Sequence, residues 1–190
     1  MCEDNKNICY SGGCAGADEL FGNCAKEVGH DVIHYVFRGM KTNCKELSYL
    51  NDLQLLQADI CLKKANKYLK RTFPCKSVYV NNLLRRNYYQ IMNVERIYAI
   101  SSLNSNGYVE GGTGWTVTMG ILENVPEVYL FDIKKNHWFT HEVSFSNPIC
   151  LWYPILIKDI PFPSGNYAGI GKHDLPENGI NAIRELYKIK

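Results

Sequence analysis

The sequence has no C-x-x-C pair, no apolar run long enough to span a bilayer, and no Asp or Glu from Cys61 to Val94. The first absence disfavours zinc, which asks for closely spaced thiolates or imidazoles, and neither His30 with His34 nor His137 with His141 has a third ligand nearby in sequence. No metal and no cofactor are expected. The second absence disfavours a membrane-spanning chain, so no membrane partner is expected. The third concentrates charge: Lys63, Lys64, Lys67, Lys70, Arg71, Lys76, Arg85 and Arg86 fall in the acid-free stretch, although the whole chain carries only +2. Such a run is either a solvated helix face or an anion-binding wall. The opening "MCEDNKN" lacks the apolar centre of a secretory signal, so a reducing, cytoplasmic setting is expected for the eight cysteines. Richness in Asn and Lys fits an AT-biased genome, such as that of a phage or large virus, for which the setting would be the host cytoplasm. There is no internal repeat and no low-complexity tract.

What is present is an alternation of strand and helix patterns over 190 residues, enough for one domain with a sizeable core. "NICYS" (residues 7–11) reads as a buried strand. It is followed by Ala17, Leu20, Phe21, Cys24, Ala25 and Val28 on one helical face and by "DVIHYVF" as a second strand. A strand, helix, strand unit of this kind pairs its strands in parallel. A helical pattern is expected from Leu47 to Leu69, broken at Pro74, and another runs from Tyr79 to Met92. On the latter, Arg85 and Arg86 lie about 100° apart and cannot both reach one ligand atom. "ERIYAIS" and "EVYLFDI" read as strands flanking a helix that starts in "VEGGTGWTVTMGIL". "EVSFS" and the run around "ICLWYPILI" suggest a small β extension between 137 and 162. "NYAGIG" is a last strand, followed by a helix with Asp174 as candidate N-cap and Ile180, Ile183, Leu186 and Tyr187 buried. The expected class is α/β, a Rossmann-like three-layer sandwich around a mainly parallel sheet.

Three glycine clusters sit where strands give way to helices: Gly12, Gly13 and Gly16; Gly111, Gly112 and Gly114 around Thr113; and Gly169 with Gly171. Bulk-free turns let a ligand approach the main chain, and a helix N-terminus offers unpaired N–H groups and partial positive charge. In an open parallel sheet such turns gather on one edge. A phosphate-bearing or nucleotide-like ligand is therefore expected, without the Walker or G-x-G-x-x-G spacing of ordinary ATP or dinucleotide sites. Ser11, Ala15 and Ala17 flank the first turn. Asp18 would take a sugar hydroxyl or serve as a solvated cap, Arg85 or Arg86, with Asn87 beside them, and Lys172 would add polar or charged contacts, and Trp115 or Trp138 would cover a base. Trp115 reads equally as a core anchor.

"SGGCAGADELFGNCAKEVG", "VNNLLRRNYYQIMNVERIYAI", "VEGGTGWTVTMGILENVPEVYLFD" and "YAGIGKHDLPENGINAI" together resemble the SLOG superfamily, which includes DprA, the Lonely Guy cytokinin-activating enzymes, YpsA-like proteins and nucleotide sensors of antiviral systems. The resemblance implies a Rossmann-like fold that binds nucleotides or their derivatives at the glycine turns, frequently as a homo-oligomer. It also exposes departures. Where Lonely Guy enzymes have P-G-G-x-G-T-x-x-E, this chain has Glu110 at the proline position and Thr118 at the glutamate position, and a threonine cannot act as that general base. Lys172 and His173 stand where close relatives carry a hydroxyl and an arginine. Three functions follow as expectations. The first is capture of a small nucleotide-derived ligand, with an ADP-ribose-type or cyclic nucleotide signal in mind, for sensing or sequestration. The second is cleavage or transfer at an N-glycosidic bond with Asp18, Glu110 or Asp132 as the carboxylate. The third is DprA-like binding of nucleic acid by the basic stretch.

Overall fold

The computed structural model describes residues 6–142 and 148–189. The chain runs β1 (Ile8–Ser11), α1 (Ala17–Glu27), β2 (Asp31–Phe37), β3 (Leu47–Leu50), α2 (Asp52–Gln57), α3 (Asp59–Leu69), α4 (Val78–Ile91) and β4 (Arg96–Ser101). It continues with α5 (Gly111–Leu122), β5 (Glu127–Asp132), β6 (His137–His141), β7 (Trp152–Ile155), β8 (Asn166–Gly171) and α6 (Glu177–Leu186). The strands form one eight-stranded sheet in the order β3-β2-β1-β8-β4-β5-β6-β7. All neighbours from β3 to β5 pair in parallel; β6 and β7 add in antiparallel fashion and are the expected β extension. Of the expected strand "EVSFS", residues 143–146 lie outside the described residues.

Strand periodicity divides the core in two. Ile97, Ala99, Val128, Leu130, Ala168 and Ile170 point to one face and pack under α3, α4 and α5, whereas Tyr98, Ile100, Tyr129, Phe131 and Tyr167 point to the other, under α1 and α6. The result is a Rossmann-like three-layer arrangement. Helix α5 has no charged residue and is buried from Thr113 to Ile121, so it occupies the middle of its layer between α3 and α4. The amphipathic α1 and α6 bury one stripe each.

Two local expectations are corrected. Leu47–Leu50 is not helical; it pairs in parallel with His34–Phe37 as the sheet's edge strand. The helix starts only after Asn51, whose side chain accepts from the Gln54 N–H at 2.9 Å while Gln54 caps the Asn51 N–H in return. Asp174 does not cap α6. Pro176 holds that position without a side-chain bond, and Asp174 stays exposed beside His173. Ile180 is half-buried, while Ile183, Leu186 and Tyr187 are buried as expected.

Candidate functional site

The three central strands β1, β8 and β4 are parallel, so the turns that leave their carboxyl ends emerge on one edge. There they meet around a cavity of about 440 Å³, with Cys14 and Asp18 from the first turn, Gly171 to Asp174 from the last and Gly111 to Thr113 from the second. Helix α4 supplies the remaining wall through Val80, Leu83, Leu84, Arg86, Asn87 and Gln90, and Thr116 and Ile170 complete it. That volume is in the range of small-molecule sites.

The first turn is occupied by the protein itself. A Cβ on Gly12 would lie 1.1 Å from Arg86 Nη1, so the absence of a side chain there makes room for the guanidinium. With its amide oxygen turned toward the turn, Gln90 accepts from the Gly12 N–H at 2.7 Å and also from Arg86. Gly16 has φ +87°, and a Cβ on it would sit 2.0 Å from the His173 carbonyl oxygen. The Ala17 N–H donates to the Lys172 carbonyl at 3.0 Å, Glu19 to Cys14 at 3.1 Å and Leu20 to Gly16 at 3.0 Å. The expected phosphate cradle is thus filled in part by Arg86, Gln90 and the main chain of the last turn. Gly12, Gly13, Ala15, Gly16 and Ala17 do not line the cavity, and Ser11 is fully buried with its hydroxyl 2.7 Å from the Gly169 carbonyl and 3.0 Å from that of Asp18.

Asp18 and Arg86 form the floor. Arg86 Nη1 donates to Asp18 Oδ2 at 3.2 Å, and the two side chains are only 4% and 7% exposed for Arg86 and Asp18. Asp18 Oδ1 accepts from the Gly171 N–H at 3.1 Å, and Arg86 Nη2 donates to Cys14 Sγ at 3.1 Å. Burial pushes the Asp18 carboxyl up from the ordinary carboxylate range, against the pull of Arg86 and of the Gly171 and Cys14 amides. Burial likewise raises the Cys14 thiol, with Arg86 opposing. Asp18 thus fixes a cation and two turns instead of standing free for a sugar hydroxyl.

The second turn is open. Gly111, Gly112 and Thr113 open α5, so their N–H groups have no acceptor within the helix; the first intrahelical bond is Gly114 N–H to the Glu110 carbonyl. A Cβ at Gly111 or Gly112 would meet nothing within 4 Å. Arg71 steadies this turn, Nη1 donating to the Gly111 carbonyl at 2.7 Å and Nη2 to that of Val109 at 2.9 Å, which brings a cation to the α5 N-terminus. Gly114 lies against Val109 and away from the cavity.

Several expected site residues stand elsewhere. Trp115 is buried beneath the sheet against Phe73, with no face open to a base. Trp138 packs on Phe131 on the opposite sheet face, toward a second cavity beside α6. Arg85 points away from Arg86 and pairs with Asp59 at 2.6 and 3.0 Å, in line with their angular separation. Glu110 receives Lys134 Nζ at 2.6 Å outside the cavity wall. Asp132 is fully buried and accepts from the Leu103, Lys134 and Lys135 N–H groups, tying the loop after β4 to the end of β5. Of the three candidate catalytic carboxylates, only Asp18 lines the cavity. Thr118 is buried within α5. Among the described residues no group of three or more His, Cys, Asp or Glu could hold a metal ion, and no helix is long and apolar enough to cross a membrane.

Among the cavity-lining residues not expected from sequence, Val80, Leu83, Leu84 and Gln90 are on α4. They continue one helical stripe with the expected Asn87, and the intrusion of the Asn87 and Gln90 amides into an apolar stripe was the available signal.

No family model matches the chain, and no curated protein matches it. Among solved structures the chain is similar to a protein of Syntrophus aciditrophicus SB described as a "putative molybdenum carrier protein", with a TM-score of 0.54 and 14% identity over 97% of this chain and 94% of that one. The likeness is one of fold. It agrees with the Rossmann-like architecture that the SLOG resemblance implies and carries no residue roles across.

Proposed function

We propose that the chain binds a small nucleotide-derived ligand in the cavity at the carboxyl ends of β1, β8 and β4, as a capture or sensing protein. The observation that carries this reading is the open first turn of α5: three N–H groups without an internal acceptor, on a cavity also lined by Val80, Leu83 and Leu84 of α4. A phosphate would rest on the Gly111, Gly112 and Thr113 amides with Lys172 adding charge, and Val80, Leu83 and Ile170 would contact the base. Asn87 and Thr116 offer hydrogen bonds to its edge or to a sugar. An ADP-ribose-type or cyclic nucleotide fits these demands. Separation of Glu110 and Asp132 from the cavity favours capture over N-glycosidic cleavage. Within the acid-free stretch, Lys64, Arg71, Arg85 and Arg86 are committed to Glu123, two carbonyls, Asp59 and Asp18, leaving four lysines exposed. That weakens the nucleic-acid reading.

The name of the similar structure supplies one competitor, a molybdenum-containing oxyanion, for which the same amides would serve. The test is mass spectrometry of small molecules released by heat from the purified protein, followed by calorimetric titration with ADP-ribose, AMP and molybdate. A nucleotide released intact and titratable, with binding abolished by Gly112→Val at unchanged melting temperature, is the expected result. Binding of molybdate alone, or a Gly112→Val protein that binds ADP-ribose as well as the wild type, would overturn it.

A further inference from the structure

A second cavity, of about 390 Å³, opens beside α6 and shares no lining residue with the first. Its apolar lining is led by an aromatic pair: Phe131 of β5 and Trp138 of β6 are cross-strand partners that meet edge to face, with ring centroids 5.5 Å apart. Ile155 and Ile157 extend it. Polar lining comes from α6, where Asn178, Asn181 and Glu185 recur at i, i+3 and i+7 and so fall on one stripe of the helix. Trp138 is only 4% exposed, yet its indole N–H finds no acceptor among the described residues. A buried donor left unpaired is costly, which points to an acceptor brought in by a ligand. Charge narrows the choice. Among the described residues no Lys or Arg lines this cavity, and the Glu185 carboxylate has no ion pair. Lys134 and Lys135, in the turn before β6, pair with Glu110 and Asp132, and Lys188, just beyond α6, lies over the Phe162 ring. Asn178 Nδ2 is held by the Ile133 carbonyl at 3.0 Å and by Asn136 Oδ1 at 3.1 Å, which leaves Asn178 Oδ1 as an unused acceptor.

We infer that this cavity binds a small organic cation: a primary ammonium on an aromatic or branched aliphatic body that also carries an amide carbonyl. The body packs against Phe131, Trp138 and the two isoleucines, and the carbonyl accepts from Trp138 Nε1. The ammonium has three donors and no acceptor. It is therefore matched to the amide oxygens of α6 and to Glu185, whereas a phosphate or carboxylate would meet that acid with no cation to offset it. Because Glu185 is exposed, solvent screens its attraction, and the aromatic contact and hydrogen bonds carry most of the affinity. Such a group occurs free, as an amino-acid amide, and as the first residue of a peptide. The site stands independently of the ligand in the first cavity, and its preference in charge is the reverse.

The test is a titration of the ¹⁵N-labelled full chain with phenylalaninamide, read by NMR at about pH 6.5, where the α-ammonium is charged. The Trp138 indole signal is identified by its loss in Trp138→Phe, or by elimination with Trp115→Phe and Trp152→Phe should that variant not fold. A saturable shift of this signal is expected, with half-saturation at about a millimolar or below. The Trp152 indole, which already donates to the Gly107 carbonyl at 3.1 Å, should stay in place. N-acetylphenylalaninamide, which lacks the charge, and phenylalanine, which adds a carboxylate, should each bind at least about 3-fold more weakly. AMP should leave the Trp138 signal unmoved. Glu185→Lys should weaken phenylalaninamide by about 3-fold or more, and Asn181→Arg should abolish its binding. Both residues are exposed, so unchanged circular dichroism is expected. Tighter binding of Phe-Ala-Ala amide than of phenylalaninamide assigns the site to a peptide terminus, and equal or weaker binding to the free amine. The absence of a saturable shift at Trp138 overturns the site. So does a shift that survives both α6 variants, or one that phenylalanine or AMP produces as readily as phenylalaninamide.

Discussion

Replacing Arg86 by Met should cost about 3–5 kcal/mol of folding stability, the range for removing one member of a buried ion pair. The reasoning starts from 3.2 Å between Nη1 and Asp18 Oδ2 and from side chains that water scarcely reaches. At an effective dielectric of about 20 the attraction is roughly 5 kcal/mol, offset in the wild type by the desolvation of both groups. Once the cation is gone, that offset is unmatched and only the Gly171 and Cys14 amides face the carboxylate. Urea unfolding followed by circular dichroism at neutral pH measures the loss, with the slope expected to hold. Two further arms separate the pair from mere packing. Adding Asp18→Asn to the Arg86→Met protein should recover about 2 kcal/mol or more, because no charge is then buried alone. Acidification should also favour the single variant relative to wild type. Its Asp18 has a folded pKa raised above the unfolded one, so stability is lost as pH rises and regained as pH falls through that window. A cost below about 1 kcal/mol, or a double variant whose loss equals the sum of the single losses, would refute the argument.

Two other predictions concern the same edge of the sheet. His34 is buried and held down at about 4 from 6.5, chiefly by desolvation; falling pH should destabilise the fold progressively below 6.5 and no further below about 4. The full effect is about 3 kcal/mol, and the urea midpoint of a His34→Asn protein should show a correspondingly flatter pH profile than the wild type. If the two profiles run parallel, the assignment fails. Gly16→Ala places a Cβ at φ +87° against the His173 carbonyl and should cost at least about 2 kcal/mol. Gly112→Ala meets open space within a helix and should gain roughly 0.5–1 kcal/mol. Equal melting temperatures for the two variants would contradict this contrast.

The layered architecture was legible because its signals are local. Short apolar runs bounded by turns mark β4, β5 and β8 as strands buried on both faces, and helical stripes in α1, α4 and α6 show which side of each helix is buried. Trp115, which read equally as a base cover and a core anchor, lies in a helix without charged residues and is buried. Leu47–Leu50 misled because its apolar spacing runs on into the true helical stripe of α2, and only pairing with β2 makes it a strand. The purpose of Gly12 and Gly16 was illegible for a related reason. A turn without side chains accommodates a ligand, a guanidinium or another loop's carbonyl equally well, and here Arg86 and the main chain of Lys172 and His173 come from distant parts of the sequence. The geometry of α4 was the exception among long-range features, since a separation of about 100° was enough to send Arg85 and Arg86 to different partners.

β8 enters between β1 and β4 although it is the last strand to be made. Until residue 171 has left the ribosome, the strands synthesised before it have no hydrogen-bonded seam joining β1 to β4, and two interior edges stay bare. Vectorial synthesis therefore leaves the nascent polypeptide waiting on β8, a stage at which a chaperone would find the exposed ladders of β1 and β4. A premature stop codon before Asn166 would strand the product in that state, with every other strand of the sheet already translated.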